Sequence, residues 1–378
     1  MKQTLMVVIL DFRNVIARGS EEDIARHEKY AAALNSECGR KQSNLVIISS
    51  SASPTISTPG SKSLFLQTTD TNKWNILGYA YQVWKLLRGQ PNKSKILVAG
   101  DPWESTIAAL LVKILLREGT PIQVQVHGDI GDENWIKQSF VNRLRKFLAK
   151  FTLHAATEIR ATTLAQSENL VRVYRVEPRK IVLIPVQLNF SRAAKINQRK
   201  NDNLSIGILG RIHKDRGLEK ALDIIKEISK SVPEVSIEVA GDGPDFAWFK
   251  GQLESICPSQ KVTFLGFLGG ENLEFFWANC GVLLSTAPAE SYGRAMRESL
   301  VRRIPVLATV STGSMELSSE TKGSGIVLIE DTDSPRAVRQ KYELARNMQV
   351  SDEVISEIMG RNAEIPLKLA QSWIRLTS

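Results

Sequence analysis

Leu284–Val301 reads L-S-T-A-P-A-E-S-Y-G-R-A-M-R-E-S-L-V. Gly281–Ser285, which leads into it, is a short apolar run suited to a buried strand. Thr286–Gly293 carries the Pro and Gly of a loop, and Arg294–Val301 sets Met296, Leu300 and Val301 at helical spacing. The stretch therefore predicts strand, loop and helix N-terminus in succession. In a parallel α/β sheet that junction lies at the carboxyl ends of the strands, where unpaired backbone N–H groups and the helix dipole favour an anionic ligand. Two carboxylates bracket it, Glu290 in the loop and Glu298 about one turn into the helix.

The rest of the second half repeats this grammar. Leu204–Leu209, Val235–Ala240, Val262–Leu265, Pro305–Ala308 and Gly325–Ile329 read as further strands, with helical stretches such as Leu218–Ile228 and Phe246–Ile256 between them. The first half does the same. Met6–Leu10, Leu45–Ser49, Leu64–Leu66, Ile96–Ala99, Ile122–Val126 and Ile181–Ile184 are short apolar runs, separated by helical spacing over Asp23–Leu34, Asn72–Leu87, Ser105–Arg117 and Trp135–Phe151. Alternation of this kind predicts doubly wound α/β sheets. A polar stretch without apolar periodicity, 190–203, reads as the linker between residues 1–189 and 204–351, and 352–378 reads as a terminal helical segment.

The chain has 378 residues, 24% of them charged, which suits a soluble globular protein of about two domains. Cys38, Cys257 and Cys280 lie far apart with no C-x-x-C, so neither a disulfide framework nor a zinc site is indicated, and a reducing, cytoplasmic setting is expected. The apolar start Leu5–Leu10 is cut off by Asp11 and no stretch approaches the ~20 apolar residues of a membrane span. Charge is unevenly placed. Residues 1–190 hold 25 Lys and Arg against 16 Asp and Glu, whereas 191–378 hold 24 of each, so the first half is the one expected to meet an anionic partner.

Several of these residues fall into an order that resembles a known family. Glu290 and Glu298, with E-S-Y-G after the first acid, resemble the E-x7-E signature of the retaining glycosyltransferases of family 4, which have the two-domain GT-B fold. Leu209-Gly210-Arg211 with Arg216-Gly217 is similar to the family's G-R and K-G pair, Arg216 standing where the family has lysine. Ala240-Gly241-Asp242-Gly243-Pro244, Phe264-Leu265-Gly266 and Thr312-Gly313-Ser314-Met315-Glu316 resemble its later turns, and His127 resembles the histidine that follows the fifth strand of its N-terminal domain.

The resemblance implies two Rossmann-like domains facing across an interdomain cleft, with 352–378 crossing back to the N-terminal domain. It implies transfer of a sugar from a nucleotide-diphosphate donor to a glycan, lipid-linked or small-molecule acceptor, with retention and without a metal or other cofactor. Under it Arg211 and Arg216 hold the diphosphate, with Lys214 as a possible helper. Ser291, Tyr292 and Gly293 offer backbone N–H groups, Gly266 lines the base pocket, Glu298 takes the ribose hydroxyls, and Glu290 and His127 contact the transferred sugar. Gly19, Asp101 and Asp129 fall on the acceptor side.

Trp135–Phe151 has an apolar stripe of Ile136, Phe140, Leu144, Phe147, Leu148 and Phe151 with Lys137, Arg143, Arg145, Lys146 and Lys150 on other faces. It suits either an anionic membrane surface, giving a peripheral location, or a stripe packed on the sheet with solvated charges. No nucleic-acid fold signature accompanies the charge. Asp331-Thr332-Asp333 is a D-x-D in a turn-rich stretch and reads as a loop. A nucleotide-sugar 2-epimerase-like enzyme and a non-catalytic binding protein on the same fold are the alternatives, while oligomeric state is not legible.

Overall fold

The computed structural model describes residues 4–377 apart from 14–15, 17–20, 40–41, 52–55, 58–62, 72–74, 91–92, 189 and 191–203. The expected linker 190–203 and the acceptor-side Gly19 thus lie, but for Phe190, outside the described residues. The chain forms two compact units, Met1–Gln187 with Ala363–Ser378, and Leu188–Asn362.

The first unit holds an eight-stranded sheet of β1 (Thr4–Asp11), β2 (Ser43–Ser51), β3 (Ile56–Ser57), β4 (Leu64–Asp70), β5 (Lys93–Ala99), β6 (Ile122–Val126), β7 (Glu158–Ala161) and β8 (Ile181–Leu183). Its order is β3-β4-β2-β1-β5-β6-β7-β8, parallel except for the β3–β4 pair. The apolar run of β1 is explained by burial on both faces. Met6, Val8 and Leu10 pack under α2 (Ile76–Arg88), α3 (Glu104–Leu116), α5 (Phe140–Ala155) and α6 (Leu164–Tyr174), the element α4 (Glu133–Lys137) lying just before α5. Leu5, Val7 and Ile9 pack instead with α1 (Glu21–Cys38) and the end of the last helix.

Strand β7 went unrecognised in the sequence because its run is E-I-R-A. Both charged side chains are buried and partnered: Arg160 donates to the carbonyls of Ile184 and Pro185, and Glu158 accepts from Gln123, Ser372 and Arg375. Trp135–Phe151 is also not one helix. The chain breaks after α4, and Ser139 starts α5 by accepting a bond from the Asn142 amide at 3.1 Å.

The second unit holds a six-stranded, all-parallel sheet of β9 (Ser205–Leu209), β10 (Ser236–Ala240), β11 (Val262–Gly266), β12 (Val282–Ser285), β13 (Val306–Thr309) and β14 (Ile326–Ile329), in the order β11-β10-β9-β12-β13-β14. Helices α7 (Leu218–Ser231), α8 (Phe246–Ile256) and α12 (Pro335–Asn347) cover one face through Ile225, Phe249 and Tyr342. The remaining helices are α9 (Gly270–Asn279), α10 (Arg294–Val301) and α11 (Thr312–Glu320). The chain winds outward from β9 to β11 and then returns to place β12 beside β9, so the strand order reverses between β9 and β12. Ligands of such sheets bind outside the carboxyl ends of the strands at that reversal.

The last helix, α13 (Asp352–Arg375), begins in the second unit and ends in the first. The two places where the chain passes between units adjoin each other. Asn362 accepts from the Leu188 amide at 2.7 Å and donates to the Leu188 carbonyl at 2.9 Å.

Candidate active site

The loops at the reversal in the second unit are drawn together by glycine. Gly217 ends the 3-10 turn Lys214–Arg216 with φ +71°, a conformation that costs an L side chain strain, and a Cβ there would overlap the Thr286 carbonyl. That approach sets the turn after β9 against the loop after β12. Thr286 Oγ1 donates to the Arg216 carbonyl at 3.2 Å, and Arg216 Nη2 reaches Glu290 Oε2 at 2.6 Å. Gly241 makes a similar approach to the Gly210 carbonyl, while Ile212, buried, anchors the loop through its amide to Asp242.

Glu290 is held from three sides. Its Oε1 accepts from the Gly293 amide at 3.1 Å, its Oε2 from Arg216, and its carbonyl from the Gly313 amide at the start of α11 at 2.8 Å. Gly293, with φ +70°, turns the chain into α10, and Glu298 follows one turn into that helix. The result is a cleft of about 340 Å³ at the ends of β9 and β12, lined by Arg211, Arg216, Glu290, Gly293, Arg294 and Glu298 among others. Arg211 gives its Nη2 to Asp215 at 2.5 Å.

Not all expected donor residues line this cleft. Ser291 and Tyr292 are buried and are not among its lining residues. Tyr292 offers its carbonyl and ring face to Arg297, whose guanidinium carbon lies 4.0 Å from the ring centroid and whose Nη2 bonds Glu320 at 2.7 Å. Gly266 ends β11 with φ +66° and accepts the Gly241 amide at 2.7 Å. Lys214 does not help the cleft, since its ammonium lies over the Trp248 ring at 5.5 Å. Arg294, which lines the cleft, was missed by sequence reasoning. Its signal was available, a cation at the first position of the helix that carries the second glutamate.

The remaining expected residues belong to the first unit. His127 is exposed, directly after β6. Asp129 is buried, and its carboxylate accepts from Asn169 at 2.8 and 3.0 Å and from the Gly131 amide at 3.2 Å. Asp101 accepts from the Trp103 and Ser105 amides and from the Ser105 hydroxyl, which fastens the start of α3; burial raises its pKa against those bonds. Both aspartates therefore shape loops at strand ends. Also at these ends, Glu104 takes Arg13 at 2.6 Å and Arg145 at 3.4 Å. The D-x-D forms a turn after β14, with Asp333 accepting from the Glu330 amide and Lys341.

The stripe on α5 does not pack on the sheet. Phe140, Leu144, Phe147 and Phe151 are exposed by 79%, 51%, 57% and 62%, and the buried face consists of Asn142, Ala149, Thr152 and Leu153. The reading in which the stripe covers the sheet is thus overturned. Leu153 and the smaller Asn142, Ala149 and Thr152 hold α5 against its neighbours, leaving Phe140, Leu144, Phe147 and Phe151 outside. Among the described residues no helix is long and apolar enough to cross a membrane.

Two Rossmann-like units, the second with a cation-lined cleft and two glutamates at its strand-order reversal, define an α/β protein of the GT-B class. Residues 189–356 match the family model of glycosyl transferases group 1, a match that falls within the second unit. The chain is 30% identical over 110 residues to sulfoquinovosyl transferase SQD2 of Arabidopsis thaliana, covering 29% of this chain and 21% of that protein. It is 24% identical over 177 residues to the phosphatidylinositol N-acetylglucosaminyltransferase GPI3 subunit of Saccharomyces cerevisiae, covering 45% of this chain and 39% of that protein. The chain thus spans well under two thirds of these curated relatives. In fold it is similar to sucrose-phosphate synthase from Thermosynechococcus elongatus (TM-score 0.75, 15% identity, 99% of each chain). It is also similar to Anabaena HepE in complex with UDP-glucose (TM-score 0.68, 15% identity, 98% of this chain and 100% of that one).

Proposed function

We propose that this protein is a retaining glycosyltransferase that takes a hexose from a nucleotide-diphosphate sugar without a metal ion or other cofactor. The observation that carries the reading is the single cleft into which the reversal of the second sheet brings Arg211, Arg216, Glu290 and Glu298. Departure of a nucleoside diphosphate builds negative charge on its phosphates while the sugar becomes oxocarbenium-like. Guanidinium groups and the N-terminus of α10 stabilise the first charge in the position a metal would otherwise take. Glu298 accepts from the ribose hydroxyls and Glu290 from hydroxyls of the transferred sugar; each Glu290 oxygen keeps a second lone pair beyond its bond to Arg216 or Gly293. His127 hydrogen-bonds the sugar, and the acceptor attacks from the side of the leaving group. The HepE complex supports a uridine donor by similarity.

Thermal shift with UDP-, GDP- and ADP-sugars tests the donor, because a ligand of the native state raises its apparent stability. Glu298→Ala is expected to weaken nucleotide binding and Arg211→Ala to slow transfer, whereas His127→Ala lowers turnover with nucleotide affinity unchanged. Wild-type behaviour in all three rejects the site. Release of a new sugar from donor alone would favour an epimerising or hydrolysing enzyme, and binding without turnover on any acceptor a non-catalytic protein.

The acceptor is lipid-linked on this reading, and the protein works at a cytoplasmic membrane face. Helix α5 contains no acidic residue, and its exposed Phe140, Leu144, Phe147 and Phe151 run beside Arg143, Lys146 and Lys150, the pattern of a helix lying in an anionic interface. Leu77, Tyr81, Lys85 and Arg88 form a like exposed row on α2, which packs on the same side of the sheet. The similarity to a phosphatidylinositol N-acetylglucosaminyltransferase subunit supports such an acceptor. Flotation with vesicles containing phosphatidylglycerol is expected to carry the protein, and Phe147→Ser/Phe151→Ser to release it. Equal flotation of the wild type with neutral vesicles would remove the electrostatic part.

A further inference from the structure

Three arginines line the donor cleft, and two of them already carry a carboxylate. Arg211 is paired with Asp215 and Arg216 with Glu290. Arg294 is exposed, and no hydrogen bond or ion pair joins it to another described residue. It is the first residue of α10, immediately after the left-handed Gly293. The amides of Arg294, Ala295 and Met296 have no acceptor within the helix, and Ala295 and Met296 line the same cleft.

Charge balance gives Arg294 its weight. Counting Asp215 with the lining, three guanidinium groups face three carboxylates, those of Asp215, Glu290 and Glu298. Without Arg294 the set becomes net negative and repels a diphosphate. Spacing agrees with charge. Glu298 lies four residues further along α10, on the same face and about 5–6 Å away, close to the step between the phosphates and the ribose of one nucleotide.

We propose that Arg294 is a donor-binding residue whose guanidinium takes the diphosphate of the nucleotide-diphosphate sugar, and that it sets the preference of the cleft for a diphosphate over a bare nucleoside. This rests on the reading of the cleft as a donor site. The planar fork of arginine and the dipole of α10 then act on the same phosphate oxygens beside Arg211 and Arg216, whose carboxylate partners also tie them to the loops that shape the cleft.

Titration calorimetry on the full chain tests it, with UDP, GDP and ADP and then the nucleoside of whichever diphosphate binds wild type most tightly. Arg294→Gln is expected to raise Kd for the diphosphate about tenfold or more, with a shallower salt dependence and no change for the nucleoside. Arg294→Lys recovers part of the loss, and unchanged melting of both variants confirms that they fold. Wild-type binding with an unchanged Kd in Arg294→Gln, or equal losses for diphosphate and nucleoside, overturns the assignment alone. Failure of wild type to bind any of the three diphosphates overturns the donor-site reading and the assignment with it.

Discussion

Replacing Gly217 by alanine would test whether the site depends on the approach of two loops. A Cβ at this φ of +71° overlaps the Thr286 carbonyl oxygen and stands 2.9 Å from its carbon, against an optimal carbon separation of about 3.5–4.0 Å. The turn after β9 and the loop after β12 must therefore separate. The left-handed conformation itself costs alanine roughly 1–2 kcal/mol. Loss of the Thr286–Arg216 hydrogen bond adds about 1 kcal/mol and of the part-exposed Arg216–Glu290 pair about 0.5 kcal/mol. A total of about 3 kcal/mol lowers the melting midpoint of a unit this size by roughly 6–12 °C. Calorimetry on Gly217→Ala would read this, beside Gly251→Ala, where a Cβ meets nothing within 4 Å in the interior of α8 and about 0.5–1 kcal/mol is gained. UDP affinity should fall in the first variant and hold in the second. Gly217→Ala melting and binding like wild type would refute the reasoning.

Two further outcomes follow from the first unit. His27 is buried, its Nδ1 is 2.7 Å from the Asp23 carbonyl, and burial followed by the Arg26 charge lowers its pKa from 6.5 to about 4. The unfolded chain then binds a proton that the native chain refuses. Stability is complete above pH about 6.5 and drains as pH falls towards 4, with about 2 kcal/mol lost by pH 5; His27→Gln should remove that slope from melting curves between pH 7 and 5. Trp373, fully buried at the end of α13, donates its Nε1 to Gln123 at 2.9 Å, so Trp373→Ala is expected to cost about 3–5 kcal/mol. Denaturant unfolding followed at the first unit would measure it, and a loss below 1 kcal/mol would mean that α13 is dispensable to that unit.

The alternation of short apolar runs with helical spacing was sufficient to predict two doubly wound sheets, because a strand covered on both faces must be apolar throughout, as β1 is through Leu10. The spacing of Glu290 and Glu298, with Gly293 between them, likewise suffices to place both acids at a strand-to-helix junction. Strand β7 escaped because its burial is balanced by partners more than two hundred residues away, Ser372 and Arg375 reaching Glu158, and no local pattern records such a bond. Periodicity also could not say which side of α5 is covered. A helix with Ala149 and Thr152 on one side and four large apolar residues on the other is amphipathic whichever way it turns, and close approach between neighbouring elements favoured the small side. The pairing of Arg216 with Glu290, and the absence of any such partner at Arg294 among the described residues, were decided only when the strand order reversed between β9 and β12. That reversal brings loops far apart in the chain to one edge of the sheet, where the charges on each are left to settle against one another.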